Sequence, residues 1–349
     1  MPDTPGKVVL FGSGETSPSG RLALERLFSE LAPPIRVAIL ETPAGFQPNS
    51  AVVAQEIADF MASRLRNYSP MISIIPARRK GPPNSTDDPG ILYPMLRANC
   101  VFMGPGSPSY TVRHVKDSLA YSYLTGRHRR GAAIILASAA TIALSSKALP
   151  VYEIFKAGHD LYWMDGLDFF MPFGLDLAIV PHWDNREGGE KLDTSRCYMG
   201  VDRWNKLFAL LPEATTVLGI DEHTAVFFDL QAGQAEVFGK GGITIQSYNS
   251  RSAYERGSIF GLDKLGPFHA APQYEFFLPE VGAEVVAACN MELPPDIAGL
   301  VEGRKKLRKE KRWQEADSIR QQLRERGYEV QDTPEGSRWC YTGHPGSSK

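Results

Sequence analysis

The sequence predicts an α/β protein built on a doubly wound, mostly parallel sheet, with a small helical hairpin near its C-terminal end. Three observations point there. Short apolar runs that end in turns alternate with stretches of helical periodicity through the first half of the chain. A series of closely spaced short strands follows, separated by glycines, which suits antiparallel strands at a sheet edge. Beyond residue 296 the chain turns into charged, helix-forming sequence.

Taken in order, Val8-Val9-Leu10-Phe11 is a strand that runs into Gly12-Ser13-Gly14-Glu15, and Gly20 to Leu31 is helical. The Gly-Ser-Gly piece lacks the spacing of a dinucleotide-binding turn and reads as a packed turn. Arg36 to Leu40 and Ser50 to Leu65 repeat the strand–helix pattern, as do Ile72 to Ile75 and Ile91 to Ala98. Cys100-Val101-Phe102-Met103 meets Gly104-Pro105-Gly106-Ser107-Pro108, and a helical pattern runs from Tyr110 to Leu124. Ala133 to Ala137 is the next buried strand, and Leu177 to Val180 another. Trp204 to Leu211 is helical, followed by short strands at Thr216 to Ile220, Ala225 to Leu230, Glu236 to Phe238 and Ile243 to Ile245. The chain therefore divides into an α/β domain over 1–247, a linker over 248–296 with some helix around Val281 to Cys289, a hairpin over 297–341 and a disordered tail over 342–349. In the hairpin, Ile297 to Lys309 and Gln314 to Arg326 are helices. Their apolar stripe is Leu300, Leu307, Trp313, Ala316, Ile319 and Leu323, and a turn at Asp332 to Gly336 joins two short extended pieces.

With 43% hydrophobic and 22% charged residues the chain is ordinary for a soluble globular protein. Its four cysteines lie far apart without metal or disulfide spacing, and no cofactor or metal is implied. No signal peptide and no membrane-spanning run is recognised, so a cytoplasmic location without membrane attachment is expected. The net charge of −2 hides an asymmetry. Residues 304–326 hold ten basic and four acidic side chains, leaving −8 for the rest. Such a split suggests a segment with its own partner.

The stretch with most chemical content is Gly131 to Thr141. An apolar run ends at Ser138 and small residues follow, the pattern of a buried strand turning sharply into a helix. Such a corner presents a hydroxyl over the carboxyl end of the sheet, where open α/β sheets bind ligands. A serine nucleophile needs a base and an acid behind it. His182 closes a strand in Pro181-His182-Trp183-Asp184-Asn185-Arg186 and is expected on the same sheet edge, with His223 as its one rival. For the acid, Glu153, Asp160, Asp165 and Asp168 all lie between Ser138 and His182. Glu153 is preferred because it sits in an otherwise apolar segment, where a lone carboxylate must be paired or face solvent. An oxyanion hole would use the N–H of Ala139 and of Gly106, since Pro105 has none. Arg113, Asn185, Arg186 and Arg196 are candidates for substrate binding, the arginines as bidentate carboxylate receivers.

The order of glycine-rich turn, strand-end serine, acid fifteen residues on and histidine forty-four residues on resembles the cyanophycinase and dipeptidase E family of serine peptidases, over about Val8 to Ile245. Gly104-Pro105-Gly106-Ser107 and Gly219-Ile220-Asp221-Glu222-His223-Thr224-Ala225 resemble further family segments. The resemblance implies the class I glutamine amidotransferase-like, flavodoxin-like fold, with Ser138 as nucleophile, His182 as base and Glu153 as orienting acid. The elbow departs from the family's Gly-x-Ser-Ala-Gly-Ala: Leu136 and Ala140 stand where the family has glycine. Known members cleave peptides of aspartate. By analogy of fold a homodimer fits.

The segment from about 297 to 341 resembles the C-terminal end of cysteinyl-tRNA synthetase. The resemblance rests on Trp313-x-x-Ala316-Asp317-x-Ile319-Arg320-x-x-Leu323 and Asp332-Thr333-Pro334-x-Gly336-x-Arg338-Trp339. It implies an anticodon-binding origin, and Arg304, Lys305, Arg308, Lys309 and Arg312 are candidates for contacting RNA phosphates. Two functions are therefore expected: a serine hydrolase acting on a small peptide or amide, or a catalytically silent protein of the same fold that binds tRNA or another RNA through the basic hairpin.

Overall fold

Strands buried on both faces should read as continuous apolar runs, and the central ones here do. In the computed structural model, which describes residues 4–270, 295–326, 328–333 and 336–341, the chain begins with β1 (Val8–Phe11), α1 (Pro18–Phe28), β2 (Arg36–Leu40), α2 (Ser50–Arg64), β3 (Met71–Ile75), α3 (Pro89–Arg97) and β4 (Cys100–Met103). It continues with α4 (Pro108–Val115), α5 (Leu119–Arg129), β5 (Ala133–Ala137), α6 (Ala139–Ala143), β6 (Lys147–Ala148), α7 (Val151–Phe155), β7 (Met164–Asp165), β8 (Leu177–Val180) and α8 (Gly200–Ala209). Then come β9 (Thr216–Ile220), β10 (Thr224–Asp229), β11 (Gln234–Gly239), β12 (Ile243–Gln246), β13 (Arg251–Tyr254) and β14 (Ile259–Gly261).

The larger sheet has the order β14-β11-β10-β1-β5-β4-β2-β3, parallel from β1 to β3 and antiparallel from β1 to β14. This is the mostly parallel α/β fold expected. Side chains alternate across its central strands, so each strand feeds two cores. Ile134 and Leu136 of β5 pack on one face and Ala133, Ile135 and Ala137 on the other. A four-stranded sheet, β13-β12-β9-β8, stands beside it. The tight turn from β9 to β10 is one of the short links between the two sheets.

Several expectations need correction. The helix read over Tyr110 to Leu124 is two. The chain breaks where Asp117 adopts φ +55°, and the Ser118 hydroxyl caps a new helix by accepting from the Tyr121 N–H. The segment read as a linker over 248–296 contains β13 and β14, each paired into a sheet, because alternate residues such as Phe260 find the core. The helix expected around Val281 to Cys289 and the tail over 342–349 lie outside the described residues.

At the C-terminal end, α9 (Pro295–Lys309) and α10 (Trp313–Glu325) form a hairpin of helices, followed by a β-hairpin of β15 (Tyr328–Thr333) and β16 (Gly336–Tyr341). Ile297, Val301 and Leu323 bury against one another, with Leu300 and Ile319 at their edge. Trp313, placed by sequence in the apolar stripe, is 52% exposed. Among the described residues no helix is long and apolar enough to cross a membrane.

Candidate active site

β5 ends in the core, and Ser138 is the residue that turns the chain into α6. It does so at φ +51°, ψ −108°, a backbone costly for any residue with a Cβ. The Ser138 N–H donates to the Phe11 carbonyl at 3.3 Å, and the Thr141 hydroxyl donates to the same oxygen at 3.1 Å, so both sides of the corner are tied to β1. Leu136 and Ala140, where the resembled family has glycines, are fully buried. Neither lines the cavity at Ser138, so their side chains do not narrow it.

His182 follows β8, in the smaller sheet and not in the one that carries Ser138, contrary to the expected common sheet. It reaches the larger sheet through its backbone N–H, which donates to Gly12 O at 3.3 Å. Its own φ is +52°. This bend carries the imidazole over the end of β5. Ser138 Oγ lies 2.8 Å from His182 Nε2. On the far side of the ring, His182 Nδ1 lies 3.0 Å from Glu222 Oε1. These partners assign the tautomer: Nδ1–H donates to the carboxylate, and Nε2 accepts from the serine hydroxyl.

The carboxylate behind His182 is therefore Glu222, in the β9–β10 turn, and not Glu153. Its backbone N–H donates to Asp184 Oδ1 at 2.7 Å, and Asn185 Nδ2 donates to its Oε1 at 2.9 Å. The hydrogen bond from His182 is the main cause of a Glu222 pKa held below the usual carboxylate range, aided by the one from Asn185. Glu153 goes elsewhere because α7 turns Val151 and Ile154 into the core and leaves Glu153 facing the start of α4, where the Ser109 hydroxyl donates to its Oε1. Asp160 is exposed, and Asp165 pairs with Lys147 at 2.6 Å. His223, the rival base, is exposed.

Ser138 and His182 open onto a cavity of about 330 Å³. Gly106 and Ala139, the expected oxyanion-hole residues, both line it. Gly106 must be glycine, because a Cβ there would fall 1.9 Å from the Pro43 carbonyl oxygen. Tyr152, Phe155, Lys156, Cys197 and Tyr198 complete much of the wall, and none was singled out from sequence. The residues Arg196, Cys197 and Tyr198 all have positive φ, and this left-handed run sets the Tyr198 ring 6.0 Å from that of His182. Burial pushes the Tyr198 phenol and the Cys197 thiol up, so both stay protonated at neutral pH.

The candidate substrate-binding residues scatter. Asn185 is 3% exposed and holds Glu222, so its amide does not face the cavity. Arg186 is exposed and lines neither this cavity nor the next. The Arg196 guanidinium lies 4.2 Å over the Trp183 ring and donates to the Trp183 carbonyl. Arg113 lines a second cavity of about 440 Å³ together with Phe46, Tyr110, Tyr152 and Glu153.

In the hairpin, Arg304 is fully buried. It lies three residues after Val301 and seven after Ile297, on the face that packs against α10, so it is not a surface phosphate contact. Lys305 and Lys309 are exposed, and Lys305 lies 3.3 Å from Glu302. Arg312 is held bidentately by Glu315. Arg308 lies 5.2 Å over the Trp313 ring.

A peptidase from an acI-B1 Actinobacterium matches with a TM-score of 0.60 at 17% identity, over 75% of this chain and 98% of its own. The two share one fold. A protein provisionally named peptidase E from Listeria monocytogenes EGD-e gives a TM-score of 0.44 at 12% identity, over 72% of this chain and 98% of its own. Residues 290–339 match the family model of the cysteinyl-tRNA ligase anticodon binding domain. The chain thus joins a peptidase-like α/β fold to a C-terminal segment similar to that domain.

Proposed function

We propose that the chain is a serine hydrolase, a peptidase or amidase acting on a small substrate, with Ser138 as nucleophile, His182 as general base and Glu222 as the orienting acid. The observation that supports this most is the unbroken relay Ser138 Oγ, His182 Nε2, His182 Nδ1, Glu222 Oε1, at 2.8 and 3.0 Å, opening on a cavity. The peptidase fold of the actinobacterial neighbour is consistent with it. In the first half-reaction Oγ bonds to the substrate carbonyl carbon as its proton passes to Nε2. Collapse of the tetrahedral intermediate breaks the C–N bond, and Nε2–H protonates the leaving amine. Water then attacks the acyl-serine, giving its proton to Nε2, and the acid product leaves as Oγ regains that proton. The N–H groups of Ala139 and Gly106 are the candidates for stabilising the oxyanion. Buried thiols at Cys100 and Cys197 suit a reducing, cytoplasmic setting.

The test is labelling with a fluorophosphonate probe. Modification of Ser138, lost in Ser138→Ala and strongly slowed in His182→Ala, is expected. A native chain that stays unlabelled across pH and probe size would refute the reading.

A second activity is supported by the match over 290–339 together with the exposed lysines of α9: the hairpin binds tRNA or another RNA. It stands whether or not Ser138 turns over, and it would be the chief function of a catalytically silent chain. Filter binding of tRNA at two salt concentrations tests it, since phosphate contacts must weaken steeply with salt. A signal that is absent or insensitive to salt would remove the idea.

A further inference from the structure

Resting on the hydrolase reading above, we infer that the cavity beside Ser138 accepts an apolar or aromatic acyl group and discriminates against an acidic one. The wall is made chiefly of Pro108, Ile142, Val151, Tyr152, Phe155 and Tyr198. Ile142 and Val151 are core residues whose outer surfaces form the floor, at 2% and 7% exposure. Phe155 and Tyr198 pack ring to ring at 5.2 Å and form one continuous aromatic side. At about 330 Å³ the space lies at the small end of ligand pockets and has room for a phenyl-sized group.

Charge points the same way. None of the three arginines advanced as carboxylate receivers lines this cavity: Arg196 is spent on Trp183, Arg113 faces the second cavity, and Arg186 lies outside. Two ionised side chains line it, Lys156 and Glu187, and their charges cancel. Lys156 is exposed at the mouth, its ammonium 5.2 Å from the Phe155 ring. Glu187 is exposed, and its carboxylate near the Tyr198 phenol adds to burial in raising that phenol's pKa. An acidic acyl side chain would shed its water into apolar surroundings, meet Glu187 and find no bidentate partner. A phenyl or alkyl group would bury apolar surface against Phe155 and Val151.

The experiment compares p-nitrophenyl esters of 3-phenylpropanoate, glutarate and acetate as substrates of the full chain, with fluorophosphonate labelling of Ser138 measured in parallel. A preference in kcat/KM of about tenfold or more for phenylpropanoyl over glutaryl is expected. Phe155→Ala should shrink the phenylpropanoyl-to-acetyl ratio about tenfold. If Ser138 is labelled yet glutarate is cleaved as well as or better than phenylpropanoate, this inference falls while the hydrolase reading stands. A ratio unmoved by Phe155→Ala likewise overturns it. If Ser138 is neither labelled nor able to cleave any of the esters, both readings fall together.

Discussion

Asn185 Nδ2 donates to Glu222 Oε1 at 2.9 Å, the same carboxylate oxygen that receives His182 Nδ1. Asn185 Oδ1 in turn accepts from the Glu187 N–H, so the amide cannot rotate away without losing two bonds. Asn185 is a positioning residue. Asn185→Leu should lower kcat about tenfold with KM within about twofold, because the loss is in the alignment of the imidazole and not in substrate contacts. Steady-state kinetics on an activated ester checks the split. A change confined to KM would place Asn185 in substrate binding instead.

The two candidate acids predict opposite outcomes for one pair of variants. Glu222→Gln removes the charge that steadies protonated His182 and should cost between about a hundredfold and ten-thousandfold in kcat. Glu153→Gln, whose carboxylate pairs with Ser109, should cost less than about tenfold. Measured turnover of both variants decides between the assignments.

A pH effect on stability should come from His128, remote from the relay. It is buried, its Nε2 lies 2.8 Å from the Gly6 carbonyl oxygen, and burial lowers its pKa from 6.5 to about 4. The folded form therefore holds it neutral while the unfolded chain binds a proton. Stability should fall as pH drops from 6.5 to about 4, by about 3 kcal/mol in all. Urea titrations across that window should show the slope, and His128→Asn should flatten it while starting from a lower stability.

Gly106→Ala should destabilise the fold by about 2 kcal/mol or more, since the added methyl would overlap Pro43 O. The Ser107 N–H that donates to that same oxygen at 2.9 Å would be displaced with it. Thermal unfolding reports the loss. Fluorophosphonate labelling should slow at temperatures where the variant is still folded, because the turn borders the cavity of Ser138.

Much of this was legible in the sequence. Ser138 and His182 each close an apolar run, and a buried strand end is a place the eye can find. Glu222 was not recognised, although its own segment was. Distance along the chain says nothing about which carboxylate a fold sets beside an imidazole; that depends on β9 lying next to β8 in the smaller sheet. Glu153, close in sequence to the serine, was carried to α4 by the facing of α7. Arg304 failed for a different reason. Its spacing from Ile297 and Val301 marks the buried face of α9, but a guanidinium in such a row reads as surface until packing is seen. The break at Asp117 carried a signal in Ser118, a capping residue inside an otherwise helical stretch.

The acid sits on a tight connection that passes from the smaller sheet to the larger, while nucleophile and base belong to one sheet each. Catalytic alignment is thereby made a measure of how squarely two stacked halves are seated. A shift of one sheet against the other would lengthen the 2.8 and 3.0 Å contacts of the relay without breaking a strand pairing within either sheet.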